Sequence, residues 1–329
     1  MDLTSLDDLA TRRRIARHGA ELRPQRVDAA AIARAWCLVV VCVRNERPRL
    51  PRFLGHYRQM GAAHFLFVDN ASTDDTAAYL QAQPDCSVWR AEGSYKASNF
   101  GMDWCNHLLA AHGVGKWCVT VDPDEFLLFP YCEQRGLKSL TRYMDAAGQP
   151  SLFAPLIDVY GPDRLSRTRL TEDTDPFQLC PYFDRFNLTQ RWDEANGNFW
   201  VQGGVRLRRF FADNPMKAPA LNKVPLVKWR PGLYYVSSMH HTNQRALNCT
   251  VRGNRQAVSG VLFHFKYVNL LSHKAQEEMT RGEHYDGSGE YKAYLDAGDP
   301  VLFDPEVSVR FGGTRQLQEL GFMQAGGWF

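Results

Sequence analysis

Short apolar runs alternate with helical patterns through the first part of the sequence. Residues 36–43, 62–68, 86–89 and 117–121 have the length and the residue types of buried strands. This alternation predicts an α/β fold, in which a parallel sheet is covered by helices on both faces. Because such sheets bind ligands beyond the carboxyl ends of their strands, we expect a functional site at that edge.

Helix signals separate the predicted strands. Residues 50–60 form one predicted helix, a second begins near Ser72 or Thr73, where acidic residues suit the positive end of a helix dipole, and a third spans 98–111. Beyond about residue 160 the pattern becomes irregular. Strands are predicted in that part at 205–211, 224–229, 234–239 and 259–267.

The composition is that of an ordinary globular protein. With 329 residues, of which 44% are hydrophobic and 23% charged, the chain can bury a substantial core. The 39 basic and 36 acidic residues nearly balance, so no polyanionic partner such as nucleic acid is expected. Eight cysteines form no C-x-x-C pair and are predicted to be reduced core residues.

No apolar run approaches the roughly 20 residues that a membrane-spanning helix needs. The beginning of the sequence also lacks an apolar signal core, so we expect a soluble, cytoplasmic protein. A predicted helix at 6–22 carries Arg12, Arg13, Arg14 and Arg17. Such a basic run either contacts anionic lipid headgroups at the inner face of the membrane or is a solvated helix face.

Polar clusters follow the first two predicted strands. Arg44, Asn45 and Glu46 follow the first strand, and Asp69 and Asn70 follow the second. Taken alone, each cluster is as typical of a helix-capping turn as of ligand binding. Their shared position at strand ends favours a single site at one edge of the sheet.

The cluster after the fourth strand is acidic. Asp122, Asp124 and Glu125 crowd the end of an apolar strand, where they repel one another unless a cation or a basic group compensates. Alternate residues of an extended segment point the same way. Asp122 and Asp124 are therefore expected to present oxygens together to Mn²⁺ or Mg²⁺, the alternative being a solvated acidic turn.

In order and context, these motifs resemble those of the family 2 glycosyltransferases and their relatives with the nucleotide-diphospho-sugar transferase fold, called GT-A. Such proteins show a V-R-N-E-like turn, a Y-H-x-x-x-G-like helix, a D-N-x-S-x-D segment and a D-x-D-E-F segment. The resemblance is strong over about residues 36–130 and weaker to 264–267. It implies a Rossmann-like, mostly parallel sheet flanked by helices, with an irregular, mixed C-terminal acceptor region. The corresponding residues here are 43–46, 54–61, 69–74 and 122–126.

The resemblance implies a metal-dependent glycosyltransferase that moves a sugar from a nucleoside diphosphate sugar to a hydroxyl acceptor with inversion. Asp69 would accept a hydrogen bond from the base, with uracil favoured, and Lys96 and Asn99 would face the ribose or the diphosphate. The acceptor would be a carbohydrate or a glycolipid, as in polysaccharide biosynthesis. The residues implied to bind the nucleotide are Arg44, Asn45, Glu46, Asp69, Asn70, Lys96, Asn99 and Asp122.

The resemblance also implies a set of metal ligands. Asp124 would be the principal ligand, and Asp122 would contact the metal or the ribose, directly or through water. Glu125 would hold the loop or the sugar hydroxyls. His264 resembles a C-terminal histidine that completes the metal site in many GT-A enzymes, and Lys266 shares its side of an extended segment. The implied cation is Mn²⁺ or Mg²⁺.

Inverting transfer needs a carboxylate that takes the proton of the acceptor hydroxyl. Candidates lie in the irregular stretch where relatives build their acceptor site: Asp193, Glu194 and Asp213, with Glu194 preferred. Taken individually, each is more typical of a surface carboxylate. For His240 and His241, a structural role and contact with the acceptor remain open.

We predict one catalytic domain with extensions at both ends. A helical extension is expected over 1–34, the catalytic domain over 35–268 and a C-terminal helical extension over 269–329. Within the catalytic domain, residues 35–130 are expected to bind the nucleotide and 131–268 the acceptor.

Three rival functions remain. A sugar nucleotidyltransferase would need a Gly-rich basic loop after the first strand, which is missing after Val43. A zinc hydrolase would need a compact ligand motif, and the sequence contains neither H-E-x-x-H nor another such motif. A noncatalytic carbohydrate-binding protein on a transferase fold would use Trp192, Trp200 and Trp229 to stack on sugars, although these tryptophans are equally typical of core residues.

Overall fold

A computed structural model of the chain describes residues 3–283 and 289–328. The strands in this part form one central sheet of 11 strands and two separate two-stranded sheets. The strands are β1 Arg23–Arg26, β2 Cys37–Val43, β3 His64–Asp69, β4 Cys86–Arg90, β5 Trp117–Thr120, β6 Glu125–Leu128, β7 Ser151–Tyr160, β8 Tyr182–Asp184, β9 Thr189–Asp193, β10 Asn198–Gln202, β11 Asn222–Lys228, β12 Tyr235–Ser237, β13 His241–Thr242, β14 Val261–Tyr267 and β15 Ser308–Arg310.

A parallel block in the order β4-β3-β2-β5 forms the first half of the central sheet. Beyond β5 the sheet continues with β11, β7, β14 and β6 in mixed directions. Strand β1 pairs antiparallel with β4 at the opposite edge, while β8 and β15 branch off β7. The predicted α/β fold, with a parallel sheet followed by a mixed region, is confirmed.

Helices cover the sheet on both faces. Along β2, Val39 and Val41 belong to one apolar core, and Leu38 and Val40 belong to another, because successive side chains of a strand point to opposite faces. This explains why β2 is a continuous apolar run. The helices are α1 Leu3–Gly19, α2 Ala29–Arg34, α3 Leu50–Gln59, α4 Thr76–Gln81, α5 Met102–Leu108, α6 Leu137–Ala146, α7 Pro176–Leu179, α8 Gly204–Phe210, α9 Leu270–Arg281, α10 Gly289–Asp296 and α11 Thr314–Glu319.

The predicted helix boundaries are correct for α3 and shifted for the next two helices. Helix α4 begins at Thr76 rather than near residue 72, and α5 begins at Met102 rather than at residue 98. Asn99, Phe100 and Gly101 have φ angles of 55°, 56° and 76°, so they are left-handed and cannot belong to a right-handed helix. After Leu108, the helix continues as a π-helix over Leu109–Gly113.

Two predictions for the C-terminal part need correction. Residues 205–211 do not form a strand, because Gly204–Phe210 is helix α8. Arg206 and Arg208 of this helix pair with Asp158 and Asp184 on two neighbouring strands, so tertiary ion pairs decide its conformation. The strand predicted at 234–239 is confined to Tyr235–Ser237, and Ser238, with φ of 45°, ends it.

Helix α1 packs against α5, and two of its arginines bind protein groups. Arg14 forms two hydrogen bonds with the buried carboxylate of Asp103, at 2.7 and 3.1 Å. Arg12 binds Asp8 and the carbonyl of Gly232. The basic run therefore ties α1 to the domain through two of its four arginines. Among the described residues, no helix has the length and apolarity needed to cross a bilayer.

His56 on α3 is an ionisable group that the fold keeps neutral. Its Nε2 lies 3.0 Å from the carbonyl oxygen of Leu127, and its ring packs 4.9 Å from the rings of Tyr57 and Phe126. Burial lowers the pKa of His56 to about 4. In an unfolded chain the same imidazole is protonated near pH 6.5. The contribution of His56 to the free energy of unfolding is therefore complete above pH 6.5 and is lost as the pH falls toward 4.

We expect the free energy of unfolding to fall by about 2 kcal/mol from this group between pH 7 and pH 5. His56→Gln should flatten that slope in urea titrations made at several pH values. His273→Gln, which changes an exposed histidine of α9, is the matched control and should keep the wild-type slope. An unchanged slope in His56→Gln would show that His56 does not carry this acid sensitivity.

Candidate functional site

Strand register brings the polar clusters to one edge of the sheet. Val43 lies beside Asp69 across β2 and β3. The turns that follow are joined directly, because the Asn70 N–H donates to the carbonyl of Val43 at 2.8 Å and the Asn45 N–H donates to Ser72 Oγ at 3.0 Å. The first two sequence clusters therefore form one continuous surface.

Asp69 carries a buried carboxylate oxygen without a hydrogen bond. Its side chain is 1% exposed. One oxygen, Oδ1, accepts from the Ser72 N–H at 3.3 Å, whereas Oδ2 has no hydrogen-bond partner among the described residues. Arg90 Nη1 lies 3.6 Å from Oδ2 and offsets part of the charge. Because an unsatisfied buried acceptor is costly, this oxygen is suited to a donor from a ligand.

Asn70 has a structural role in the same turn. Its amide donates to the carbonyls of Ala91 and Gly93, each at 3.1 Å. These bonds join the turn after β3 to the loop after β4. For Asn70 the turn-stabilising interpretation therefore fits the observed contacts.

Arg44 and Asn45 also organise the turns. Arg44 Nη1 donates to the carbonyls of Asn70 and Ala71 at 2.8 and 2.9 Å. Asn45, which has a left-handed φ of 53°, accepts from the Thr73 N–H at 2.8 Å. Both side chains also reach Glu277 on α9.

Glu46 is buried and is neutralised by two cations. Arg49 Nε lies 3.0 Å from Glu46 Oε2, and Lys274 of α9 binds Oε1. Arg49 in turn donates to the carbonyl of Phe265 on β14 at 2.7 Å. Glu46 therefore connects the first turn to the C-terminal part of the chain.

The loop after β4 carries Lys96 and Asn99. The Lys96 side chain is exposed, and its backbone N–H donates to Glu283 at 2.8 Å. Asn99 donates from Nδ2 to the carbonyl of Val236 at 2.9 Å. Lys96 is therefore at the same edge as Asn70, while the Asn99 amide is committed to β12.

The acidic cluster forms a turn, contrary to the extended segment expected from the sequence. The Glu125 N–H donates to the carbonyl of Asp122 at 3.0 Å, and β6 begins at Glu125. The turn forms because the chain reverses from β5 into β6, where it pairs antiparallel with β14. Asp122 and Asp124 are therefore brought together by a turn rather than by alternation along a strand.

Lys223 on β11 is the basic group that compensates the acidic turn. Its Nζ lies 3.0 Å from Glu125 Oε1 and 3.9 Å from Asp122 Oδ2, and the residue is buried. Desolvation, followed by the charge of Glu125, raises the pKa of Asp122 to about 7. Sequence reasoning missed Lys223, although a lysine among the apolar residues of 222–228 is a usable signal.

His264 lies beside the acidic turn, as the sequence predicted. Its Nε2 is 3.4 Å from Asp124 Oδ2, and its Nδ1 is 2.7 Å from Asp158 Oδ1. Although desolvation acts in the opposite direction, the charges of Asp124 and Asp158 raise the pKa of His264. The Asp124 carboxyl is desolvated too, but the His264 charge holds its pKa well below the usual range.

Asp158 and Arg206 complete a buried polar chain behind His264. Arg206 donates to both Asp158 oxygens, at 2.7 and 2.8 Å, and both side chains are almost fully buried. Neither residue was predicted as part of the site. Asp158 is a lone acid within the apolar run 151–160, the same signal that singled out His264 in 261–267.

Lys266 is on the same strand as His264 but is paired elsewhere. Its Nζ lies 2.8 Å from Glu290 of α10, and Arg206 Nη1 lies 4.0 Å from the same carboxylate. Although burial opposes the shift, Lys266 and Arg206 lower the pKa of Glu290 to about 2.

The donors at the acidic turn have the chemistry of a Mn²⁺ or Mg²⁺ site, since Asp122 and Asp124 offer oxygens and His264 offers a nitrogen. They are not arranged as a preformed cluster. Within the part of the chain that the structure describes, no group of three or more His, Cys, Asp or Glu side chains is placed to hold a metal ion. Here Lys223 and His264 balance the acids instead.

The proposed base residues lie on the β9–β10 hairpin. Asp193 accepts from Asn196 Nδ2 at 2.7 Å, which closes the hairpin turn. Glu194 is 80% exposed and binds Trp192 and Arg245. Asp213 is exposed. The observed contacts of Asp193 and Glu194 therefore tie them to the hairpin rather than to the acidic turn.

The histidine and tryptophan candidates have mixed environments. The half-buried ring of His240 lies 2.7 Å, through Nδ1, from the carbonyl of Asn222, and desolvation lowers its pKa to about 3. Trp229 is 1% exposed and belongs to the core. Trp200 is 37% exposed, while Arg252 stacks 3.8 Å above the Trp192 ring. Only the hairpin tryptophans are therefore placed for contact with a ligand.

No family model matches the chain, and no curated protein matches it. Among solved structures, a mannosyltransferase from Pyrobaculum calidifontis in complex with GDP-Man and Mn²⁺ is 18% identical, with a TM-score of 0.25. The match covers 48% of this chain and 44% of that protein, so the chain spans less than half of its length.

Two further solved structures match over most of their length. A 4-diphosphocytidyl-2C-methyl-D-erythritol synthase is 12% identical, with a TM-score of 0.28 and coverage of 86% of this chain and 96% of that one. A putative glucose-1-phosphate thymidylyltransferase from Bacillus anthracis, in complex with a sucrose, is 9% identical, with a TM-score of 0.28 and coverage of 86% and 93%. The fold assignment rests on the sheet topology, since these TM-scores are low.

Removal of the Lys223 ammonium should leave Glu125 buried without its partner. We expect Lys223→Met to lose about 3 kcal/mol of the free energy of unfolding, because an uncompensated buried charge is strongly destabilising. Urea denaturation at neutral pH measures this loss.

Lys228→Met is the matched control on the same strand. Lys228 pairs with Asp145 at 2.6 Å, but both side chains are more than 40% exposed. Its loss should cost less than about 1 kcal/mol. Equal losses in the two variants would contradict the compensating role of Lys223.

Proposed function

We propose that the chain is a glycosyltransferase of the GT-A type, related to family 2, which transfers a sugar from a UDP-sugar to a hydroxyl of a carbohydrate or glycolipid acceptor. The observation that carries the proposal is the buried Asp69 oxygen that accepts no hydrogen bond from the described residues, at the edge that also holds the acidic turn. A nucleotide whose base lies beside Asp69 and whose diphosphate lies at the acidic turn would use both features.

Asp69 is proposed to read the base. Its Oδ2 oxygen needs a hydrogen-bond donor, and the N3–H of uracil is such a donor, whereas N3 of cytosine is an acceptor. A carboxylate that cannot donate therefore favours uracil over cytosine. Arg90 Nη1 lies 3.6 Å from the same oxygen and offsets part of its charge.

Asp124, His264 and Asp122 are proposed to hold Mn²⁺ or Mg²⁺. A bound cation would neutralise the diphosphate that leaves during transfer. The chain itself orients the imidazole, because the Asp158 carboxylate, 2.7 Å from Nδ1, fixes the proton on that nitrogen. Nε2 faces Asp124, 3.4 Å from Oδ2, and would give up its proton to bind a cation.

The acceptor hydroxyl has to lose a proton to a carboxylate on the face opposite the leaving diphosphate if the transfer inverts configuration. Glu194 and Asp193 remain the proposed bases. Glu194 is supported by its exposure, since an acceptor can reach it, and by the neighbouring Trp192 and Trp200, which suit contact with a sugar ring.

The two parts of the proposed catalytic domain are proposed to have different roles. Residues 35–130 supply the nucleotide turns and residues 131–268 supply His264, Lys223 and the hairpin. A noncatalytic carbohydrate-binding protein would not need the charge-compensated carboxylates of the acidic turn. A sugar nucleotidyltransferase would form the nucleoside diphosphate sugar and release pyrophosphate, so the released product distinguishes it from a glycosyltransferase.

Base selection tests the role of Asp69. Wild-type protein should bind UDP more tightly than CDP, and Asp69→Ala should reduce this preference by roughly tenfold, as expected for a hydrogen bond to a charged group. Calorimetric titration with each nucleotide measures the ratio. Asp85→Ala, at the opposite edge of the sheet, should keep the wild-type ratio.

Equal binding of UDP and CDP by the wild type would contradict base reading by Asp69. A reduced preference in both variants would indicate a general loss of stability instead.

A further inference from the structure

Helix α9 lies across the edge of the sheet proposed to bind the nucleotide. Lys274 binds Glu46, and Arg281 Nη2 lies 3.4 Å from Asn70 Oδ1. Just beyond the helix, Glu283 reaches the loop after β4. The C-terminal part of the chain therefore touches the turns after β2 and β3 and the loop after β4, which carry all of the predicted nucleotide-binding residues except Asp122.

Glu277 of α9 brings a carboxylate to the first turn. Its Oε1 accepts from Arg44 Nε at 3.1 Å and lies 3.3 Å from Asn45 Nδ2. Arg44 Nη1 donates to the backbone carbonyls of Asn70 and Ala71, and these bonds fix the guanidinium. Its Nε–H is therefore held in place to bind an anion. In this structure that anion is a side chain of the chain itself.

Glu283 brings a second carboxylate to the loop after β4. Its Oε2 accepts from Ser94 Oγ at 2.5 Å and from the Lys96 N–H at 2.8 Å. A hydroxyl and a backbone N–H that converge on one oxygen are typical of phosphate binding. Two carboxylates of one segment thus occupy two separate anion sites on neighbouring loops.

The attachment of α9 to the domain is weak in apolar terms. Among the described side chains of the helix, only Leu271 and Ala275 are buried. An open surface depression of about 380 Å³ is lined by Arg44 and by five residues of α9: His273, Gln276, Glu277, Thr280 and Arg281. With few buried apolar contacts and an open polar face, such a helix is released more easily than a core element.

We propose that Glu277 and Glu283 occupy the positions of anionic oxygens of a nucleoside diphosphate, and that this ligand binds by displacing α9 from the three turns. The inference rests on the proposed function, because it takes the same edge as the nucleotide site. It adds that α9 of the same chain competes with the nucleoside diphosphate for this edge. Binding is weakened by the fraction of molecules in which α9 is in place.

The test uses the full chain with both carboxylates neutralised, Glu277→Gln with Glu283→Gln, and UDP as the probe in a buffer that contains Mn²⁺. The double variant should bind UDP at least about fivefold more tightly than the wild type, since two competing charged contacts are lost. Glu277→Gln alone should give a smaller gain. Glu319→Gln, in an exposed pair with Arg315 on α11, is the matched control and should bind like the wild type.

Hydrogen exchange supplies the second measurement. In the wild type, UDP should increase exchange of the backbone amides of 270–281, because the helix leaves the turns. Unchanged or weaker UDP binding by a folded double variant overturns the inference, as does stronger protection of 270–281 with UDP. If neither wild type nor variants bind any nucleoside diphosphate, the proposed function falls as well; if wild type binds and the double variant binds equally, only the role of α9 falls.

Discussion

Burial of carboxylates at the carboxyl edge of the sheet is the constraint on which the second half of the structure depends. A buried carboxylate is tolerated only when a cation or several donors balance it. Asp158 has Arg206, Glu125 has Lys223, Glu46 has Arg49 and Lys274, and Asp184 has Arg208. The pairs of Arg206, Arg208 and Lys223 fix α8 and β11 within the mixed region, whereas the pair of Lys274 with Glu46 joins α9 to the turn after β2 in the parallel block.

Against this pattern, Asp69 and Asp122 stand out. Asp69 keeps one buried oxygen without a hydrogen bond, and desolvation, followed by the charge of Glu125, raises the pKa of Asp122 to about 7. Functional sites commonly carry such unsatisfied or perturbed groups. Both lie where sequence patterns alone placed a site, at the ends of β3 and β5.

The sequence predicted local structure well and long-range partners poorly. The strands 36–43 and 117–121 and the acidic cluster could be recognised because apolar runs and their polar ends are local patterns. Lys223, Arg206 and Asp158 were missed because their roles depend on strands that meet only in the folded chain. The strand predicted at 205–211 was wrong for the same reason.

Sequence could not reveal that α9 covers the predicted nucleotide residues either. Glu277 and Arg44 lie far apart along the chain and meet because α9 is held by the packing of Leu271 and Ala275 and by the pair of Lys274 with Glu46. The extended geometry expected for Asp122 and Asp124 failed for a different reason. The chain reverses at Pro123 to begin an antiparallel strand, and such a reversal depends on the partner strand β14.

We propose that this edge of the sheet activates a nucleoside diphosphate sugar. The most direct test incubates purified protein with a panel of sugar nucleotides and Mn²⁺ and identifies the released product, with Asp124→Asn as the inactive comparison and Asp145→Asn as the surface control. We expect the wild type and Asp145→Asn to release UDP from a UDP-sugar, and Asp124→Asn to release none. Release of pyrophosphate, no release from any sugar nucleotide, or full activity of Asp124→Asn would contradict a metal-dependent glycosyltransferase at this edge.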